Sequence, residues 1–268
     1  MKIRISLGQF DIQLGAPQEN LARVSTLAAQ ANQRESQFLL LPELWSTGYD
    51  LENWPMHAAP LEQGFFAEMA GLARAHRLWL GGSLLERRGS QAYNTFVLYD
   101  SLGELAACYR KIHRFRLMDE DQWLGAGDRP VLASLKLTED APTLKAGLAV
   151  CYDLRFPELF RSYALQGAEL ILLPAEWPAA RLEHWQVLLR ARAIENQCFI
   201  AAVNRVGVSK GEAFGGHSQV IDPWGRVLLQ GGTEPELLTV DLDLGEAARV
   251  RRQIPILEDR QPDAYELK

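Results

Sequence analysis

The chain has few cysteines, no long hydrophobic run and no excess of positive charge, and each absence removes a class of function. Three cysteines, Cys108, Cys151 and Cys198, stand far apart in 268 residues. An odd, widely spaced set is not a disulfide framework, and it fits a reducing cytoplasm. No apolar stretch approaches the ~20 residues a membrane span requires. The pattern at Met1-Lys2-Ile3-Arg4-Ile5 is that of a strand, without an apolar leader or small-residue cleavage site, so no signal peptide is expected. The net charge of −6 argues against nucleic acid as a partner. Arg249, Arg251 and Arg252 do cluster, but in a helix-like stretch where a solvated face is the expected reading. The five histidines, His57, His76, His113, His184 and His217, show no metal-ligand spacing. There is no Walker loop, and Gly216-His217-Ser218-Gln219-Val220 fails the nucleophile-elbow pattern at its last position. Gly125-Ala126-Gly127 lies outside any strand-to-helix junction and is a poor phosphate loop. No metal and no cofactor are expected.

What the chain does have is the composition of a globular protein, 47% hydrophobic and 23% charged. A chain of this length buries about three quarters of its unfolded surface in one core. Strand-like and helix-like segments alternate without a linker or repeat. Ile3–Phe10, Phe38–Leu41, Leu78–Leu85, Tyr93–Tyr99 and Leu105–Arg110 read as strands, the last two joined as a hairpin by Asp100-Ser101-Leu102-Gly103. Leu148–Val150, Leu170–Leu173 and Phe199–Val203 are further strands, and a strand pair surrounds Asp222-Pro223-Trp224-Gly225. Helical spacing marks Leu21 to Ala31, Phe65 to His76, Pro157 to Leu165, and Leu182 to Ala193. The pattern gives a single α/β domain over residues 1–268. It permits one doubly wound sheet or two sheets packed face to face with helices outside.

Three ionisable side chains stand at the carboxyl ends of such strands, where an open sheet presents reactive groups. Cys151 follows Leu148-Ala149-Val150 and precedes the helix-starting Pro157, whereas Cys108 and Cys198 lie inside strand runs and read as small buried hydrophobes. Glu43 follows Phe38-Leu39-Leu40-Leu41-Pro42, and Lys111 lies in Tyr109-Arg110-Lys111-Ile112-His113. A free thiol is only a few per cent ionised at neutral pH, so lowering its pKa gains at most ~30-fold. An aimed oxyanion donor is worth ~10²–10³ in turnover. A nucleophilic Cys151 therefore needs a base, which Glu43 suits, and above all an oxyanion stabiliser, which Lys111 and the backbone N–H of Tyr152 suit. Each has a plainer alternative: Glu43 as a cap or surface ion pair, Lys111 as a solvated charge.

These segments, Leu41-Pro42-Glu43, Tyr109-Arg110-Lys111-Ile112-His113 and Cys151-Tyr152-Asp153-Leu154-Arg155-Phe156-Pro157-Glu158, resemble the catalytic motifs of the nitrilase superfamily of carbon–nitrogen hydrolases. Their order and separations agree, and the resemblance runs from the first strand to about Pro255. It implies a four-layer αββα sandwich and a homodimer packed through its helices, with the 256–268 segment at that interface. It also implies a Glu–Lys–Cys triad of Glu43, Lys111 and Cys151, with Glu120, flanked by Asp119 and Asp121, as a second glutamate orienting Lys111 or the substrate. Trp45-Ser46-Thr47-Gly48-Tyr49-Asp50, Phe115-Arg116-Leu117-Met118 and Glu176-Trp177-Pro178-Ala179-Ala180-Arg181-Leu182-Glu183-His184-Trp185 narrow the resemblance to ω-amidases, or 2-oxoglutaramate amidases, of a bacterial branch linked to methionine salvage. These hydrolyse the terminal amide of a 2-oxo dicarboxylic acid monoamide; other amidohydrolases of the superfamily, acting on N-carbamoyl amino acids or deaminated glutathione, are the nearest alternatives, and a non-catalytic protein on the same fold a more distant one. An anionic substrate calls for a bidentate arginine, and Arg116, Arg155 and Arg181 are near the motifs, Arg155 having a rival role in pairing with Glu158 or another carboxylate. Tyr49, Trp177 and His184 are expected at the substrate, Tyr49 and Trp177 with packed core as the alternative.

Overall fold

Residues 2–137 and 143–264 are described by the computed structural model, and over them strands alternate with helices as the pattern predicts. β1 (Lys2–Gln9) leads into α1 (Pro17–Gln33), which carries a proline in its first turn, and then into β2 (Phe38–Leu40). A single helical turn α2 (Trp54–His57) and α3 (Phe65–His76) precede β3 (Trp79–Arg88), β4 (Gln91–Tyr99) and β5 (Leu105–Arg110). Next come the short α4 (Glu120–Trp123), β6 (Leu124–Gly125), β7 (Leu132–Leu135) and β8 (Leu144–Leu148). The second half runs α5 (Pro157–Leu165), β9 (Leu170–Ala175), α6 (Leu182–Asn196) and β10 (Phe199–Asn204). It ends with β11 (Val206–Ser209), β12 (Glu212–Gly215), β13 (Gln219–Ile221), β14 (Val227–Gln230), β15 (Glu236–Asp243) and α7 (Gly245–Gln253).

The strands form two large sheets, ordered β15-β1-β2-β3-β4-β5 (with β6 on β4) and β14-β13-β10-β9-β8-β7, and β11 pairs with β12. Strand alternation decides the layering. Ile3, Ile5 and Leu7 of β1, Phe38 and Leu40 of β2, and Phe96 and Leu98 of β4 join one core with Leu148, Leu170, Leu172 and Ala202 of the second sheet. Their neighbours Leu39, Leu41, Leu80, Val97 and Tyr99 point the other way, onto Val24, Ala28, Phe66 and Met69 of α1 and α3. Phe160, Tyr163, Trp185 and Leu189 of α5 and α6 cover the far face of the second sheet. Two sheets packed face to face with helices outside is the αββα sandwich, and the doubly wound alternative falls. Each buried large side chain of this kind contributes about 1.5–3 kcal/mol.

Several local expectations shift. The strand placed at Leu148–Val150 starts earlier, at Leu144, and its last residues are extended chain leading into a turn. The strands β7, β11, β12 and β15 were not expected from the pattern; β15 pairs with β1 along its whole length. Arg251 is not on a solvated face: its guanidinium turns inward to the carbonyls of Ala168 and Asn196, while Arg249 pairs with Asp243 and Glu246. Gly127 donates its N–H to Lys111, and a Cβ there would collide with the Arg110 carbonyl, so the Gly125–Gly127 loop is shaped by close packing on β5. Among the described residues no helix is long and apolar enough to cross a membrane. Of the 256–268 segment, residues 265–268 lie outside the described residues.

Candidate active site

β1, β2 and β3 run parallel, as do β8, β9 and β10. β5 returns to the same direction through two antiparallel pairings. The residues that follow β2, β5, β8 and β9 therefore emerge together, and they are Glu43, Lys111, Cys151 and Glu176.

Lys111 is buried between two carboxylates. Its Nζ donates to Glu43 Oε1 at 2.8 Å and to Glu120 Oε1 at 2.7 Å. Burial opposes the ammonium charge, but Glu120 and Glu43 outweigh it and raise the Lys111 pKa. The same Glu43 oxygen accepts from Asn94 Nδ2 at 2.7 Å and lies 3.0 Å from the Tyr49 hydroxyl. Glu43 Oε2 accepts the Glu176 backbone N–H at 2.9 Å. Glu120 Oε2 is held by the Phe115 N–H at 2.6 Å, and Tyr49 OH stands 2.8 Å from its Oε1. Burial, with the Glu43 charge, pushes the Glu120 carboxyl up against the pull of Lys111. Of the three acidic neighbours only Glu120 is buried; Asp119, at φ +59°, makes the reversal that turns it inward.

Cys151 opens a 3-10 turn, Cys151–Arg155, with φ +45°, a backbone region costly for a side-chain-bearing residue and characteristic of functional turns. Asp153 holds that turn. Its Oδ2 accepts from the Val150 N–H and the Tyr109 hydroxyl, each at 2.8 Å, and its Oδ1 from His113 Nδ1 at 2.7 Å. His113 in turn stacks on Phe156, centroids 3.6 Å apart. One buried carboxylate thus ties the nucleophile turn to both flanks of Lys111. The Cys151 sulfur lies 3.8 Å from the Glu176 carbonyl. Burial and the Glu43 carboxylate hold the thiol well above its ordinary pKa, with Lys111 pulling the other way.

A small, shallow cavity opens onto Cys151, lined by Phe115, Tyr152, Arg155, Trp177, Pro178 and Arg181. The surface it presents is almost wholly apolar, with the Arg155 and Arg181 side chains in its lining. Arg155 lies 4.8 Å over the Trp177 ring and 3.3 Å from His184 Nδ1; Arg181 faces the Phe115 ring at 5.8 Å. Among the described residues neither pairs with a carboxylate, so the expected alternative of an Arg155–Glu158 ion pair is not what forms. Trp177 is at once buried core and cavity wall, with its indole N–H on the Arg181 carbonyl.

Three candidates do not line this cavity. Arg116 sits on an exposed turn and lines a neighbouring groove with His113 and Arg114. His184 stands behind Arg155 rather than at the cavity surface. Tyr49 does not wall the Cys151 cavity; it lies under the two carboxylates. The sequence reading missed Asn94, Asp153, Glu176 and Arg205. Asn94 carries a usable signal, a polar residue on the Phe96–Leu98 core face of β4.

The carbon–nitrogen hydrolase family model matches residues 4–252. A 2-oxoglutaramate amidase from Bacillus subtilis (strain 168) is 41% identical over 266 residues, covering 99% of this chain and 100% of that one. The omega-amidase NIT2 of Mus musculus is 33% identical, over 98% and 96% of the two chains. Among solved structures, XC1258 from Xanthomonas campestris, a CN-hydrolase superfamily protein with an arsenic adduct in its active site, superimposes with a TM-score of 0.90 at 29% identity, covering 100% of both chains. A variant of the amidase from Nesterenkonia sp. AN1, with the acetamide moiety of fluoroacetamide added covalently at its active-site cysteine, gives a TM-score of 0.84 at 31% identity, over 98% and 95%.

Proposed function

Because the chain belongs to the carbon–nitrogen hydrolase family, we propose that it hydrolyses the terminal amide of a 2-oxo dicarboxylic acid monoamide, converting 2-oxoglutaramate and water to 2-oxoglutarate and ammonia. The observation that carries the substrate class is the pair of arginines, neither paired with a carboxylate among the described residues, beside the small apolar cavity on Cys151. An α-carboxylate pairs bidentately with a guanidinium, and Arg155, with Trp177 beneath it and His184 behind it, is the favoured partner, with Arg181 opposite. An α-ammonium, as in glutamine, is repelled there; a 2-oxo group is not. The names of the relatives from Bacillus subtilis and mouse point to the same substrate.

In this reading Glu43 takes the Cys151 proton as sulfur attacks the amide carbon, and the oxyanion rests on Lys111 Nζ and the Tyr152 N–H. The carbon–nitrogen bond breaks, and the proton on Glu43 passes to the departing nitrogen as ammonia leaves. Water, giving its proton to Glu43, then attacks the thioester; the acid departs, and Glu43 returns that proton to the Cys151 sulfur. Glu120, fixed by Phe115 and Tyr49, holds Lys111 in place throughout. A homodimer closed through α5, α6 and the C-terminal segment belongs to the same reading, supported by the exposed Leu165, Val187, Ile194 and Ile254. So do a cytoplasmic location, which the three free cysteines suit, and a place in methionine salvage.

Ammonia release from 2-oxoglutaramate, glutamine, an N-carbamoyl amino acid and a simple nitrile tests the substrate, and only the first should turn over well. Preference for the carbamoyl compound would move the protein to the neighbouring amidohydrolase class. Cys151→Ala should abolish turnover with the fold intact. Glu43→Gln should form no acyl-enzyme detectable by mass spectrometry; a normal thioester yield in that variant removes Glu43 as the base.

A further inference from the structure

One peptide segment touches both reacting side chains. The Glu176 N–H donates to Glu43 Oε2 at 2.9 Å, and the Glu176 carbonyl lies 3.8 Å from Cys151 Sγ. The segment's own side chain runs away from the substrate cavity, into a second buried charge cluster. Glu176 Oε2 accepts from Arg205 Nη1 at 2.9 Å, and Arg205 Nη2 donates to Asp11 Oδ1 and the Ile12 carbonyl, each at 2.8 Å. Arg205 Nε reaches the Val206 carbonyl, and its guanidinium stands 4.4 Å from the Phe214 ring. The pair is fully enclosed, with Glu176 1% and Arg205 0% exposed.

A buried ion pair is a poor stabiliser, because removing two charges from water offsets most of their attraction. This one is poorer still, since Glu176 Oε1 has no hydrogen-bond partner among the described residues. Apolar residues of the same volume would pack as well. Nor is the pair needed to hold Trp177, whose backbone N–H and carbonyl are both gripped by the Asn204 side chain at 2.6 and 3.1 Å. What the ion pair adds is a fixed direction for the Glu176 peptide, upstream of that grip and directly behind the general base.

We propose that Glu176 is a positioning residue, acting through its ion pair with Arg205 to hold the peptide that sets Glu43 against Cys151. The inference rests on the assignment of Glu43 as base and Cys151 as nucleophile. Glu43 must change protonation twice in each half-reaction without moving, and its contacts to Lys111, Asn94 and Tyr49 all fall on Oε1. The Glu176 N–H is what locates Oε2. A displacement of about 1 Å at such a base costs roughly 100-fold in rate. The charged groups facing Glu176 are Arg205, with Asp11 beyond it, Glu43, Lys111 and, through Tyr49, Glu120. Burial pushes the Glu176 carboxyl up to about 7 although Arg205 pulls it down. Protonation as the pH falls through that region weakens the clamp.

The test compares Glu176→Ala, Glu176→Gln and Arg205→Lys with the unmodified protein, using 2-oxoglutaramate hydrolysis from pH 5.5 to 9 and circular dichroism to correct for folded fraction. Glu176→Ala should lose about 10- to 100-fold in kcat with KM within about twofold. Glu176→Gln, which imitates the protonated carboxyl, should hold at pH 8 the reduced rate that the unmodified protein reaches below pH 7, and so lack the acid limb near pH 7. Arg205→Lys, which removes the fork but keeps the charge, should lose kcat in the same way. An unchanged kcat in the folded Ala variant overturns the proposal. So does a loss expressed wholly in KM, or a Gln variant with the unmodified pH profile. Active Cys151→Ala or Glu43→Gln variants would instead sink the underlying mechanism, so the two failures are distinct.

Discussion

Replacing Lys111 by methionine, which keeps the stem and deletes the charge, probes the charge balance of the site most directly. The ammonium is 1% exposed and is shared by Glu43 and Glu120, neither of which is exposed at all. Deleting it leaves two carboxylates facing each other, with Asn94 Nδ2 and the Tyr49 hydroxyl as their remaining side-chain donors. Removing one partner from a buried pair costs about 3–5 kcal/mol. That figure depends on pH in a definite direction. Like charges sharing a site raise the pKa of one of them, and Glu120 is already held above its ordinary value by burial and by Glu43. A carboxyl raised in the native state binds a proton that the unfolded chain has released, so stability falls as pH rises from the unfolded pKa toward the native one. Without Lys111 that window widens upward. The destabilisation of Lys111→Met should therefore be smallest near pH 5 and grow by up to ~1.4 kcal/mol per pH unit above it. Turnover should fall by at least ~10²–10³, the worth of one oxyanion donor. Urea unfolding at pH 5, 6, 7 and 8, beside ammonia release at each pH, reads both. A variant within about 1 kcal/mol of the unmodified protein at every pH, or one keeping more than about a tenth of its activity, refutes a site built around Lys111.

Two further outcomes are expected. Arg155→Ala should raise KM for 2-oxoglutaramate and lower kcat/KM by about 10- to 150-fold, the worth of one or two charge-assisted hydrogen bonds, while leaving a neutral amide such as propionamide unaffected; an equal loss on both substrates would mean that Arg155 only shapes the cavity. Asp153→Asn, which turns an NH₂ toward groups that donate to Asp153 now, should slow acylation by roughly tenfold or more with little change in KM. Normal single-turnover thioester formation in that variant would detach Asp153 from the placement of Cys151.

How far the sequence reveals this site depends on where each residue sits relative to its strand. Alternation in β1, β2 and β4 is legible because each face meets a different partner, the second sheet on one side and α1 with α3 on the other. β7 and the β11–β12 hairpin are short, and their faces are mixed, so no period stands out in them. β15 does alternate, and Gly231-Gly232-Thr233-Glu234-Pro235 before it marks its start, so it is legible in the sequence. The strand-end rule that found Glu43, Lys111 and Cys151 has two more instances. β9 and β10 are wholly buried strands, and each is followed at once by an ion, Glu176 after Ala175 and Arg205 after Asn204. A charge placed directly after an apolar strand has to meet an opposite charge or a ligand, because the sheet carries its backbone into the interior. Read as a set, these five strand ends already contain the proposed base, cation and nucleophile and the proposed clamp behind them. Glu120 is the exception, and the reason is physical. It comes from a loop, and whether Asp119, Glu120 or Asp121 turns inward is settled by the left-handed backbone at Asp119 and the Phe115 N–H waiting for its carboxylate. Strand ends carry their chemistry in one dimension; a loop acquires it only when the chain closes on itself.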